Sequence, residues 1–185
     1  MITKTYATAE DLYHVPENGK AEIVDGALRL MSPTGGLPGY AGGEIFVSLR
    51  MYARRKRRGF AFPDNVGFLV NLPNRRSFSP DAAYYVGEIT GGGFLNGAPI
   101  FAAEVRSDGD YGPTAEQAMA TKRADYFAAG TQVVWDVDVL RSQEVRVYRA
   151  TDPLHSIIYR RGDLAEAEPA VPGWRMAVAD LFPLP

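Results

Sequence analysis

Apolar and polar positions along this chain follow two rhythms, one near a period of 3.6 and one of period 2. Over residues 42–57 the apolar residues Ile45, Phe46, Leu49, Tyr52 and Ala53 recur at helical spacing, which predicts a helix laid against a sheet. A second helix is predicted over 114–129, where Ala115, Met119, Lys122, Tyr126 and Ala129 form one stripe of the kind that faces a core. A short helix is expected over 8–13, with Thr8 as N-cap and Asp11 in the acidic position of a near capping box. Segments 21–24 and 28–31 flank Asp25 and Gly26, residue types that suit the positive φ angles of a tight hairpin turn. Strands are predicted at 60–62, 66–72, around 81–86, at 100–105 and at 156–159, and the segment SPTGGLPGYAGG reads as loop. TQVVWDVD is an apolar run rich in valine, and EVRVYR alternates as a half-buried strand does. The order is mixed α/β. No repeat, low-complexity segment or composition break divides residues 1–185, so a single domain is expected.

Three ionisable residues interrupt these apolar segments. Asp81 stands in PDAAYYV, Glu104 in PIFAAEVR, and Lys122 inside the apolar stripe of the second predicted helix. Ionised groups taken into a core lose hydration, so they persist there when paired, hydrogen-bonded or bound to a metal. Two acids and a lysine can satisfy one another as a buried ion-pair network, or they can hold a divalent cation. Taken alone, Lys122 reads as a packing or ion-pair lysine that snorkels to water; the company of two acids shifts that reading toward chemistry. Strand alternation puts Glu104 and Arg106 on one face, which predicts Arg106 as a cationic neighbour of Glu104.

Composition narrows the choices. The 185 residues, 46% hydrophobic and 23% charged, suit one domain with a sizeable core. No apolar stretch approaches the roughly 20 residues of a membrane span, and the N-terminal stretch lacks the apolar region of a signal peptide, so a cytoplasmic protein without membrane contact is expected. The absence of cysteine excludes disulfides and thiolate zinc sites, and His14 and His155 are too few for a histidine-based metal site. Any metal would be held by oxygen, which favours Mg²⁺ or a similar hard cation. A net charge of −2 argues against a surface coated for nucleic acid, yet Arg54, Arg55, Lys56, Arg57 and Arg58 run together just before Gly59. They read as a glycine-capped helix end that complements the dipole, or as a phosphate-contacting patch, and the two readings are compatible.

The ordered segments AEIVDGALRLMSP, SPDAAYYV, GAPIFAAEVRSDGD, KRADYFAAGTQVVWDVD, EVRVYR and PGWRMAVADLF resemble the Uma-type restriction endonuclease family of the PD-(D/E)XK nuclease superfamily, over most of the chain. The resemblance implies a restriction-endonuclease-like α/β fold, a mixed central sheet flanked by helices, with an N-terminal hairpin extension. It also implies that Asp81 is the acid of the Pro-Asp motif, Glu104 the acid of the next motif and Lys122 the lysine supplied from the following helix. Asp81 and Glu104 would hold Mg²⁺, with Mn²⁺ as a substitute; the substrate would be DNA and the assembly a homodimer. Arg106 stands where the superfamily's Glu-x-Lys arrangement has its lysine, so that role is expected to have moved to the helix. Glu22 matches a recurrent family acid and reads either as a site residue or as a hairpin charge. Glu44 reads as a further acid or as a surface residue near a helix N-terminus. The chain departs from the family pattern at Ser107, Asp108 and Gly109, in place of Ser-Pro-Ser, and at GLPGYAGGE, where a histidine is missing. Both departures bear on loop conformation and substrate approach.

The same residue types suit phosphodiester hydrolysis, which needs a nucleophilic water, neutralisation of charge on the phosphate oxygens and help for the leaving oxyanion. Lys122 as a base would need a lowered pKa, whereas two nearby carboxylates push it upward, so an electrostatic and positioning role is favoured. The expected function is a metal-dependent endonuclease, a hydrolase acting on DNA. The alternative is a catalytically inactive nuclease-fold module that binds nucleic acid or a protein partner. There is no P-loop ending and no Gly-x-Ser-x-Gly elbow. Asp136 and Asp138 are expected to end a buried strand beside a turn, or to back the metal site from behind its ligands.

Overall fold

A computed structural model describes residues 6–15 and 19–184; residues 1–5, part of the stretch read against a signal peptide, lie outside them. Helix α1 (Ala9–Tyr13) opens at Thr8, whose backbone N–H donates to Asp11 Oδ2 at 2.6 Å, as the capping-box spacing predicts. Strands β1 (Lys20–Val24) and β2 (Ala27–Met31) pair antiparallel around Asp25 and Gly26, whose φ angles of 51° and 72° make the expected left-handed turn.

Helix α2 (Gly36–Lys56) begins before the spacing predicts, so part of the segment read as loop is helical. Pro38 falls in the first turn, where a missing N–H loses no intrahelical partner. Pro38, Ala41 and Gly42 are all buried, and this packing outweighs the poor helix propensity of the glycines. The helix is capped by Arg57, with a left-handed φ of 52°, and not by Gly59 as expected. Gly59 serves a different need: its φ is +67°, and a Cβ there would stand 2.5 Å from the Tyr84 ring.

Among the described residues the largest sheet has six strands, in the order β11 (Asp152–Arg160), β10 (Glu144–Arg149), β9 (Val133–Asp138), β8 (Phe101–Val105), β6 (Ala82–Tyr85) and β3 (Phe60–Pro63). Every join is antiparallel except β8–β9, which makes the sheet mixed. The strand expected over 66–72 contracts to β4 (Phe68–Leu69), which joins β5 (Ser77–Phe78) and β7 (Leu95–Asn96) in a small separate sheet. Beyond Leu69 the backbone closes a turn instead: Val70 N–H donates to Arg76 O and Leu72 N–H to Arg75 O. Helix α3 (Pro113–Ala128) matches its predicted span closely. A C-terminal hairpin of β12 (Leu164–Glu166) and β13 (Arg175–Ala177), followed by a 3₁₀ turn over Val178–Leu181, completes the chain.

Alternation along the central strands sorts the side chains into two layers. Phe101, Ala103, Val105, Val133, Trp135 and Val137 share one layer with α2 and the C-terminal segment, and Trp174 stacks on Trp135 at 4.9 Å between ring centroids. On the other face, Ala83, Ala102 and Val134 pack with Phe78 and Tyr126, whose rings stack at 3.9 Å. Full burial of a side chain such as Tyr126 contributes on the order of 2 kcal/mol. Glu104 shares the Ala102 face, so the acid emerges on the side covered by α3. No helix among the described residues is long and apolar enough to cross a membrane.

Candidate active site

Asp81 and Glu104 are set by the pairing of β6 with β8. Asp81 N–H donates to Ala103 O at 3.1 Å, and Asp81 Oδ2 accepts from Val105 N–H at 2.7 Å. The aspartate thus fastens to the backbone on both sides of Glu104. Gly42 of α2 packs against it, its Cβ position only 3.6 Å from Asp81 Cβ.

Lys122 arrives from α3. Its ammonium donates to Glu104 Oε2 at 2.8 Å and lies 3.0 Å from Glu22 Oε1. One helical turn further along the same stripe, the Tyr126 hydroxyl donates to Glu104 Oε1 at 2.6 Å, so both glutamate oxygens have partners on α3. Glu22 comes from β1, 5% exposed, and accepts from Ser79 N–H at 2.9 Å. The hairpin charge is therefore buried in the cluster; Glu22, Glu104 and Lys122 meet, each from a different element.

Three further residues belong to this cluster that do not stand out in the sequence as site residues. Lys20, two positions before Glu22 on β1 and hence on the same face, donates to Asp81 Oδ1 at 3.0 Å and pairs with Asp64 at 2.6 Å. Arg75 bridges Glu22 Oε2 at 2.5 Å and Asp125 Oδ2 at 2.8 Å, almost fully buried. Tyr126 was legible as a stripe member but not as a ligand of Glu104. The period-2 offset from Glu22 was the available signal for Lys20; Arg75 sits in a polar turn, and nothing in its spacing distinguishes it.

Burial and the neighbouring Asp81 and Glu22 charges push the Glu104 pKa above its ordinary value, although Lys122 opposes them. Burial alone would lower the Lys122 ammonium, but the Glu104 and Glu22 carboxylates outweigh it and hold its pKa above the ordinary lysine range. Lys20 behaves alike: burial lowers it, and Asp81 and Glu104 more than restore it. Burial would raise Glu22, yet Lys122 and Arg75 bring it below the usual carboxylate value. Both lysines are consequently cations at neutral pH, suited to facing anionic oxygen and unsuited to taking a proton.

The chain has relatives. The Uma2 family, described as "Putative restriction endonuclease", matches residues 7–179. The chain belongs to this family. A crystal structure described as "a putative nuclease belonging to DUF820 from Anabaena variabilis ATCC 29413" is similar in fold, with a TM-score of 0.74 and 18% identity over 95% of this chain and 97% of that chain. At that identity the likeness speaks for the fold alone. No curated protein matches the chain. Family membership carries a nuclease function, and the mixed central sheet with its N-terminal hairpin matches the fold of that nuclease-like neighbour.

Restriction-endonuclease-like families generally use a divalent metal. Among the described residues no group of three or more His, Cys, Asp or Glu is arranged to hold one. The donor chemistry nevertheless suits a hard cation: Asp81 and Glu104 offer carboxylate oxygens, each of which accepts in this structure from Lys20, Lys122, the Tyr126 hydroxyl or the Val105 N–H that a cation would share or displace. Mg²⁺ commonly takes one or two carboxylates and fills its remaining positions with water and phosphate oxygens.

Other expectations change. Arg106 does not serve Glu104: it forms a fork with Asp136, at 2.6 and 2.7 Å, and also binds Glu116, while 2% exposed. The register explains this, because Glu104 and Asp136 are paired across β8 and β9 and Arg106 lies one step along the same face. Asp136 is thereby a partner for Arg106. Asp138 ends β9 as expected, accepting from the Leu140, Arg141 and Ser142 backbone N–H groups and from the Tyr111 hydroxyl. These bonds overcome the effect of burial and bring its pKa down to about 2. Glu44 lies well inside α2, not at its N-terminus, and sits beside the Tyr40 hydroxyl. Asp81 pairs with Lys20, not Lys122, so the predicted three-residue network is really two adjoining ones. Arg54, Arg55, Lys56, Arg57 and Arg58 are all exposed, at the opposite end of α2 from Gly42.

Proposed function

We propose that this nuclease is a Mg²⁺-dependent endodeoxyribonuclease, with Mn²⁺ able to substitute. The observation that carries the reading is the contact of a charged Lys122 with Glu104 at 2.8 Å, beside an Asp81 fastened to the same strand. Asp81 and Glu104 would hold the metal, which when bound supplies a Lewis acid for a phosphate oxygen and a water of lowered pKa. Lys122 neutralises charge that develops on the phosphate oxygens, and Glu22 keeps it protonated and aimed. Tyr126 orients Glu104, and Arg75 anchors Glu22, so the acids are held before substrate arrives. The exposed cations of residues 54–58 would contact DNA phosphates. A cytoplasmic homodimer suits the absence of cysteine and the need to cut two strands.

Purified protein incubated with plasmid and linear DNA in Mg²⁺, Mn²⁺ or EDTA tests this. Metal-dependent cleavage that disappears in Asp81→Ala and Glu104→Ala is expected; cleavage unchanged in both variants would sink the assignment.

One observation favours a second reading, a nuclease-fold module that binds without cutting. The Lys20 ammonium already occupies Asp81 Oδ1 at 3.0 Å. In that case neither metal supports cleavage of any DNA, and calorimetry finds no Mn²⁺ binding that depends on Asp81.

A further inference from the structure

A groove of about 520 Å³ lies between the C-terminal half of α2 and β3. Phe46, Arg50, Arg54 and Arg57 recur along one face of the helix to form its first wall, and Arg58 and Phe60 continue it toward the strand. No carboxylate lines the groove, and none of the four arginines is paired with one among the described residues. In a chain of net charge −2 this is a local concentration of free positive charge. Phe60 is 44% exposed, and Arg50 lies over the Phe46 ring at 5.9 Å, so aromatic faces and guanidinium groups alternate there.

We infer that this groove holds an unpaired stretch of the DNA strand, so that the substrate carries a single-stranded segment beside the cut. The inference rests on the nuclease reading above and adds the class of DNA. Base-paired nucleotides are stacked on one another and offer no face to a phenyl ring, whereas unpaired bases stack on aromatic side chains while arginines follow the phosphates. The groove's volume is on the scale of a small-ligand pocket, room for nucleotide-sized groups to settle between the arginines and Phe60. Position supports the same occupant. β3 is the edge of the central sheet and leads from Phe60 toward Asp64, about 13 Å at the rise of a strand, and Asp64 binds the Lys20 that binds Asp81. A second copy docking on this edge about a two-fold axis would set arginines against arginines, which like-charge repulsion opposes.

The test is fluorescence anisotropy in EDTA, where no cleavage occurs, using labelled blunt duplex, the same duplex with a single-stranded extension, and the single strand alone. The probe set is completed by polyglutamate as a competitor, and the proteins are wild type, Phe60→Ala and the exposed double variant Arg54→Glu/Arg57→Glu, with thermal melts to establish folding. The extension should tighten binding, Phe60→Ala should lose about tenfold of that gain, and the double variant should flatten the salt dependence by about 1.4 in log–log slope. Blunt duplex bound as tightly as extended duplex, variants bound like wild type, or polyglutamate displacing the extended DNA as well as DNA does would each overturn the inference. Cleavage assays in Mn²⁺ separate the two readings. Groove-dependent binding with no cleavage of any DNA leaves the groove standing and removes the nuclease reading, and cleavage indifferent to the extension and to both variants does the reverse.

Discussion

Asp81 Oδ2 accepts the backbone N–H of Val105 at 2.7 Å, one residue past Glu104. The bond ties the position of one acid to the strand that carries the other, so their separation is a property of the β6–β8 pairing and not of two free side chains. A carboxamide can accept the same bond, which separates the charge of Asp81 from its placement.

Asp81→Asn is therefore expected to fold and to lose metal-dependent cleavage. Melting curves and cleavage assays in Mn²⁺ read the two effects; near wild-type cleavage would remove Asp81 from the metal site.

Lys122→Met should lower the cleavage rate about 10²- to 10³-fold, the scale of losing one electrostatic group aimed at the reacting phosphate. Glu22 and Glu104 lose their shared cation, so melts should show a loss of stability, while DNA binding in EDTA by the folded fraction should be nearly unchanged. A variant that cleaves normally would reassign Lys122 to an ion pair alone.

The raised Glu104 pKa gives a pH signature. Metal binding needs the carboxylate, so Mn²⁺ affinity should keep climbing with pH beyond the range of ordinary carboxylates and then level off. In the same window the folded state binds more protons at Glu104 than the unfolded state does. This group's contribution to stability consequently falls as pH rises from the unfolded value through the folded one. Calorimetric titrations and melts across pH, compared with Glu104→Gln, measure both slopes; a variant with the same pH dependence as wild type contradicts the assignment.

Arg75→Met leaves Glu22 and Asp125 buried without their cation, and removal of one partner from such a cluster costs about 3–5 kcal/mol. Denaturant melts should show this loss, and adding Glu22→Gln should recover part of it. Strict additivity of the two substitutions would show that the pair is not coupled.

Arg106→Met should destabilise on a similar scale, because Asp136 is 1% exposed, yet the folded fraction should cleave DNA at the wild-type rate. A large fall in that rate with stability unchanged would restore Arg106 to the catalytic set.

Much of the fold was legible in local patterns. The Asp25-Gly26 turn, the Thr8 capping box, the stripe of α3 and the valine-rich β9 each follow from a rule that acts over a few residues. The start of α2 is not legible locally, because the burial of Pro38, Ala41 and Gly42 depends on what packs against them. The acids and Lys122 stood out because charge in an apolar segment demands a partner. Which partner was another matter. Alternation correctly put Arg106 on the face of Glu104, but only the β8–β9 register decided that it would bind Asp136. Lys20 and Arg75 come to the cluster from a hairpin and a turn far away in the chain, and no local period encodes that approach. The sequence by itself determined the element types and the residues that need company, since propensity and desolvation act on each position where it stands. Tertiary structure alone decided the pairings, since an ion pair is a distance between elements, and strand register and helix docking set that distance.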